Sequence, residues 1–131
     1  MLEKGVFNTF NVPNATRTAP HDINDRGQIV GAFVDAGGVL HGFLLDAGMF
    51  TTIDLPGAVE TDPAGINDRS EIVGAIDDTQ GVTHGFFRDR RGRFSVIDVP
   101  GAGPFTSLFG INNRREIVGQ YLPGLPARLE R

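Results

Sequence analysis

Two histidines carry most of the chemical potential of this chain. His41 and His84 each open a His-Gly-Phe triplet. Each also belongs to a stretch holding a hydroxyl and a carboxylate, Thr18 and Asp54 for the first and Thr61 and Asp98 for the second. Imidazole, hydroxyl and carboxylate within reach of one another can transfer protons, activate a nucleophile or ligate a metal. The duplication argues against all three. A catalytic group is seldom built twice in one chain, whereas a polar group that must be satisfied in two like units is satisfied the same way in both. The reading assigned to His41, His84, Thr18, Thr61, Asp54 and Asp98 is therefore a structural network. No catalytic residue, metal ligand or cofactor is expected.

Asn24-Asp25, Asn67-Asp68 and Asp77-Asp78 offer oxygens to calcium, but they lack the alternating acidic series of a dedicated loop. Asn and Asp are also the ordinary turn residues, because their side chains bond the local backbone. Turn chemistry is the expectation. The basic cluster Arg88-Asp89-Arg90-Arg91-Gly92-Arg93 stands at an expected hairpin tip, and its counterpart in the preceding unit is Asp46-Ala47-Gly48. Arg88, Arg90 and Arg91 are the candidates for binding an anion. Phosphate-loop, nucleophile-elbow and zinc-protease motifs are absent from the sequence. With no Trp and only Tyr121, the chain has little to stack on a sugar ring.

Those residues need a scaffold, and the composition says which kind. The 131 residues are 40% hydrophobic and 21% charged, the balance of one globular domain with a real core. Net charge is -4, which opposes a nucleic-acid partner. There is no cysteine, hence no disulfide or thiolate site. No run is long enough for a membrane span, and the first residues lack the apolar core of a signal peptide. Eighteen glycines and eight prolines punctuate short runs of Ile, Val and Phe, the pattern of many strands joined by tight turns.

The punctuation is periodic. Pro13, Pro56 and Pro100 stand 43 and 44 residues apart, and Ile23, Ile66 and Ile111 stand 43 and 45 apart. That period suits one four-stranded unit. The chain divides into a leading strand (1–13), a first repeat (14–56), a second repeat (57–100) and a partial third repeat with an irregular tail (101–131). Val6 to Val12 aligns with the last strand of each repeat, and eleven strands are expected in all. Asn24-Asp25-Arg26-Gly27 predicts a hairpin turn closed by a residue of positive φ. Ser70 and Arg115 fill Gly27's place in the later repeats, at a cost of about 1 kcal/mol each. Strands such as Ile29 to Phe33 are apolar on both faces, which predicts sheets packed against sheets. Gly31, Gly74 and Gly119 are expected where neighbouring backbones approach closely. The two prolines of Leu122 to Pro126 predict the end of the strand pattern.

The ordered series G-I-N-D-R-G-x-I-V-G, then H-G-F-L, then F-x-x-I-D-x-P-G-A, over about residues 5 to 121, resembles the bacterial HAF repeat. His-Gly-Phe stands where the name-giving His-Ala-Phe would be. The resemblance implies a tandem array in an extracellular or cell-envelope protein and no established activity.

The expected fold is all-β, tandem four-stranded antiparallel units of a partial propeller amounting to about three blades. Its exposed edge strands imply a homo-oligomer. The expected function is a non-catalytic repeat scaffold or binding module presenting loops to a protein or glycan. The alternative is a hydrolase or lyase whose carboxylates, Asp54 and Asp98, converge on a central channel.

Overall fold

A computed structural model describes residues 2–3, 6–7, 9–122 and 125–130. All regular structure in them is β. A short hairpin pairs β1 (Leu2–Glu3) with β2 (Val6–Phe7). Sheet I runs β3 (Arg17–Ile23), β4 (Ile29–Val34), β5 (Leu40–Asp46), β6 (Met49–Ile53). Sheet II runs β7 (Glu60–Ile66), β8 (Ile72–Asp77), β9 (Thr83–Arg88), β10 (Phe94–Ile97). Sheet III holds β11 (Thr106–Ile111), β12 (Glu116–Tyr121) and β13 (Leu125–Glu130). In all three sheets, strands adjacent in sequence pair antiparallel.

One turn closes six of the hairpins. Its first residue is Asn24, Asp35, Asn67, Asp78, Asp89 or Asn112. The side-chain oxygen of that residue accepts from the backbone N–H two and four positions on, at 2.8–3.0 Å. The residue three positions on has positive φ, including 60° at Ser70 and 61° at Arg115. The side chain thus does locally what a ladder partner would do, which is why Asn and Asp hold these places. The β5–β6 turn differs, with Ala47 and Gly48 both at positive φ.

The sheets stack through faces set by the two-residue alternation of the strands. Val30 and Ile53 of sheet I pack with Ile66, Ile72, Ile76 and Phe86 of sheet II. The opposite face of sheet II supplies Val73 and Phe87, which pack with Leu108 and Ile117 of sheet III. Both faces of sheet II are therefore buried, the arrangement its unbroken apolar runs call for.

Polar groups repeat the stacking at one end of the sheets. Asn24 Nδ2 donates to the Asn67 carbonyl, and Asn67 Nδ2 to the Asn112 carbonyl, both at 2.9 Å. The Asp25 N–H donates to Asp68 Oδ1 at 2.7 Å, and the Asp68 N–H to Asn113 Oδ1 at 2.8 Å. The positive-φ residues take part. Ser70 Oγ donates to Gln28 Oε1 at 2.7 Å, and Arg115 Nε to Glu71 Oε2 at 2.6 Å. Each such side chain reaches back to the preceding unit, an interaction that offsets its backbone strain.

Two expectations are corrected, and the close backbone approach at three glycines is located. The stretch Val6 to Val12 is not one strand. Among its described residues only Val6–Phe7 is paired in a strand, while Phe10 and Val12 pack on sheet I around Phe43 and Phe50. The close approaches at Gly31, Gly74 and Gly119 come from within the same sheet. In β3, β7 and β11 a bulge leaves His21, Ala64 and Phe109 unpaired. The backbone beside each bulge fills the space a Cβ would need, with Pro20, Pro63 and Leu108 pressed against the three glycines. Finally, Pro126 lies inside β13, and with β13 and the β1–β2 hairpin in place of a single leading strand, the strands among the described residues number thirteen rather than eleven. β13 has β12 on one side only, and an edge strand is where a sheet tolerates proline. Pro123 and Gly124 lie outside the described residues.

Candidate functional site

The meander places the β4–β5 and β8–β9 turns at one end of the sheets. The β3–β4, β7–β8, β11–β12 and β9–β10 turns lie at the other. Each end gathers its own chemistry.

At the first end, each histidine is held between two carboxylates. His41 Nδ1 meets Asp54 at 2.9 Å, and Nε2 meets Asp35 Oδ2 at 2.7 Å. His84 Nδ1 meets Asp98 at 2.9 Å and Nε2 meets Asp78 Oδ2 at 2.9 Å. Only the imidazolium donates from both nitrogens. The hydrogen bonds to Asp35 and then Asp54 raise the pKa of His41, and those to Asp78 and then Asp98 raise that of His84. Reciprocally, Asp35 and Asp78 are lowered, first by their histidine and then by the turn N–H groups of Val39 and Val82. An imidazolium so engaged has no lone pair for a proton or a metal. It can do one thing, which is to pin the β4–β5 or β8–β9 turn to the end of the last strand of its sheet.

The threonines are engaged elsewhere. Thr18, Thr61 and Thr106 accept from the backbone N–H of Val12, Leu55 and Val99 at 3.2–3.3 Å. Leu55 and Val99 follow Asp54 and Asp98 directly, so two of these threonines fix the segment that carries the carboxylate. Asp35 and Asp78 are the members the sequence reading overlooked. The signal was available, since an Asp stands six residues before each His-Gly-Phe.

Asp62 in β7 is a further perturbed group at this end of the sheets. Its side chain is half-exposed, but Oδ1 is turned inward and has no hydrogen-bond donor. His21 Nδ1 is 3.4 Å from that oxygen but lies closer, at 2.7 Å, to the Pro63 carbonyl, to which it hydrogen-bonds instead. Burial raises the Asp62 pKa against the opposing pull of His21.

The opposite end carries a cavity of about 660 Å³ between the stacked turns and the β9–β10 hairpin. Arg26, Arg69 and Arg115 come from the turns of three successive units, and Arg90, Arg91 and Arg93 from the hairpin. Asp68, Glu71 and Asp89 complete the lining. Of the arginines singled out from sequence, Arg90 and Arg91 lie here. Arg88 does not; its guanidinium stands 6.0 Å over the Phe94 ring. Arg26, Arg69 and Arg115 are distant in sequence and only the stacking of the turns assembles them, so no local motif announces the cavity.

No model of a known protein family matches this chain, and no curated protein does. The geometry must speak for itself. Among the described residues, no cluster of three or more His, Cys, Asp or Glu is arranged to hold a metal ion. Among the same residues, no helix is long and apolar enough to cross a membrane.

Proposed function

We propose that this chain is a non-catalytic repeat module of the HAF kind, belonging to a bacterial extracellular or cell-envelope protein. Its sheets act as blades of a propeller-like array that continues from one copy to the next. The observation that carries this reading is the fate of one position in three sheets. Val30 and Val73 are 0% exposed, each covered by the following sheet, whereas the equivalent Val118 is 50% exposed. The mirror case is Ile23, 45% exposed on the outer face of sheet I, against 4% for Ile66. Each exposed position is the counterpart of one already buried within the chain, and beyond the part of sheet I that Phe10 and Val12 cover, a second copy stacked head to tail covers both with contacts the fold uses internally.

Strand count supports the same arrangement. Sheet III has three strands where sheets I and II have four. Residues 5–13 match the fourth-strand segments 48–56 and 92–100 in sequence. Placed beside β13 of a neighbouring copy, that segment completes its sheet, and two chains of three sheets close a six-bladed ring. The loops of such a ring are the surfaces for a protein or glycan. The hydrolase or lyase reading has less support, because Asp54 and Asp98 are each bonded to the histidine of their own sheet.

Sedimentation equilibrium tests the assembly. The expected mass is twice the 14.1 kDa of one chain, falling to the monomer in Val118→Asp without loss of β circular dichroism. A wild-type chain that stays monomeric across the accessible concentrations overturns it.

A further inference from the structure

The arginine-lined cavity lies within a single chain and does not depend on assembly. Six of the eleven arginines line it in a protein whose net charge is -4. Two of its three acids are already held, Glu71 by Arg115 Nε at 2.6 Å and Asp89 by Arg93 Nε at 2.8 Å. The third, Asp68, accepts from Asn113 Nδ2 at 2.9 Å and from the Asp25 N–H. The Asn113 amide is the first cause of its lowered pKa, so Asp68 stays ionised and faces a neutral partner. Arg26 hydrogen-bonds Ser70 Oγ at 3.4 Å, and its charge also helps to lower the Asp68 pKa. Arg69, Arg90 and Arg91 have no side-chain partner among the described residues, and they are exposed. Three guanidinium groups thus share a concavity without a carboxylate to hold them among the described residues, with Arg26 beside Asp68 as a fourth cation. Fixed cations so placed repel one another and raise the local concentration of anions.

The lining narrows the ligand. All nine residues are charged, and none is aromatic or aliphatic. A nucleobase or sugar ring has nothing to stack on, and an apolar molecule has nothing to bury against. The cavity is larger than one tetrahedral oxyanion needs. Guanidinium groups present paired donors that match the oxygens of phosphate or carboxylate. The walls also differ in origin. One is made by the stacked turns, with Arg26 and Arg69 at one repeat position and Arg115 at that of Gly27 and Ser70, while the other is the β9–β10 hairpin, whose counterpart in sheet I is the two-residue Ala47-Gly48 turn without arginine. A loop that departs from its repeat is where a specific role is expected.

We infer that this cavity binds a compact, multiply charged oxyanion, a small molecule bearing several phosphate or carboxylate groups. Isothermal titration calorimetry at fixed ionic strength, with tripolyphosphate in one arm and citrate in the other, tests it. Saturable one-to-one binding is expected, and the tighter arm identifies the phosphate or the carboxylate source. Arg90→Ala combined with Arg91→Ala should weaken binding by about tenfold or more, as loss of charge-assisted bonds does. The urea midpoint should stay unchanged, because neither side chain has a partner to lose. Arg17→Ala, on β3 outside the cavity, should bind like the parent. Absence of saturable heat in both arms, or equal weakening by Arg17→Ala and the hairpin pair, overturns the inference.

Discussion

Replacing Asn67 by alanine tests the stacking of the sheets most directly. The side chain is 3% exposed and makes four hydrogen bonds. Two come from the N–H groups of Arg69 and Glu71 in its own turn, one runs to Glu71 Oε1, and one crosses to the Asn112 carbonyl of the next unit. At about 1 kcal/mol for each bond, with partners left buried, the loss is about 4 kcal/mol. Asn112 provides the control. It makes the equivalent turn bonds and the bond to Glu116, but it is exposed and has no following unit to reach. Water replaces its bonds, and Asn112→Ala should cost about 1 kcal/mol. In urea, with a slope of about 2 kcal/mol per molar, the midpoint should fall by about 2 M for Asn67→Ala and about 0.5 M for Asn112→Ala. The measurement belongs at the highest dilution the signal allows, so that association does not contribute. Equal shifts for the two variants would refute the claim that bonds between units hold the array together.

Two further outcomes follow from the same geometry. The histidine clamps make stability depend on pH with a definite sign. The contribution of His41 and His84 is complete below the ordinary 6.5 and is lost as pH rises through their raised values. That of Asp35 and Asp78 is complete above 3.8 and is lost as pH falls through their lowered values. The clamps are therefore strongest between 3.8 and 6.5; an NMR titration placing either imidazole at or below 6.5 contradicts this. At the positive-φ positions, Ser70→Gly should be nearly neutral, relief of about 1 kcal/mol of strain offsetting one lost hydrogen bond. Arg115→Gly should destabilise by about 2 kcal/mol in thermal unfolding, because it leaves the buried Glu71 carboxylate uncompensated; half-exposure of Arg115 keeps the figure below that of a fully buried pair.

The repeat, the all-β character and the turn chemistry were legible because each is written in short-range residue choices. Asn24, Asn67 and Asn112 announce the turn, and the positive φ of Ser70 and Arg115 follows from their alignment with Gly27. What was not legible depends on distance in space. Nothing near Arg26 says that Arg69 and Arg115 will stand beside it. That the threonines would take the Leu55 and Val99 N–H groups rather than the histidines depends on how the linking segments cross between sheets. Pro126 misled because a proline ends a strand only where both of its edges are paired.

The cross-unit contacts at the turns also have a consequence for folding. Near-identical segments joined in tandem are prone to exchange partners while the chain collapses. Here the junctions are not interchangeable. A hydroxyl meets an amide between the first and second units, and a cation meets an anion between the second and third. Glu116 is already neutralised by Arg114 and Arg128 of its own sheet, and Gly27 offers no side chain at all. Each joint accepts one neighbour and disfavours the other, so the order of the units is written into the pairs that join them.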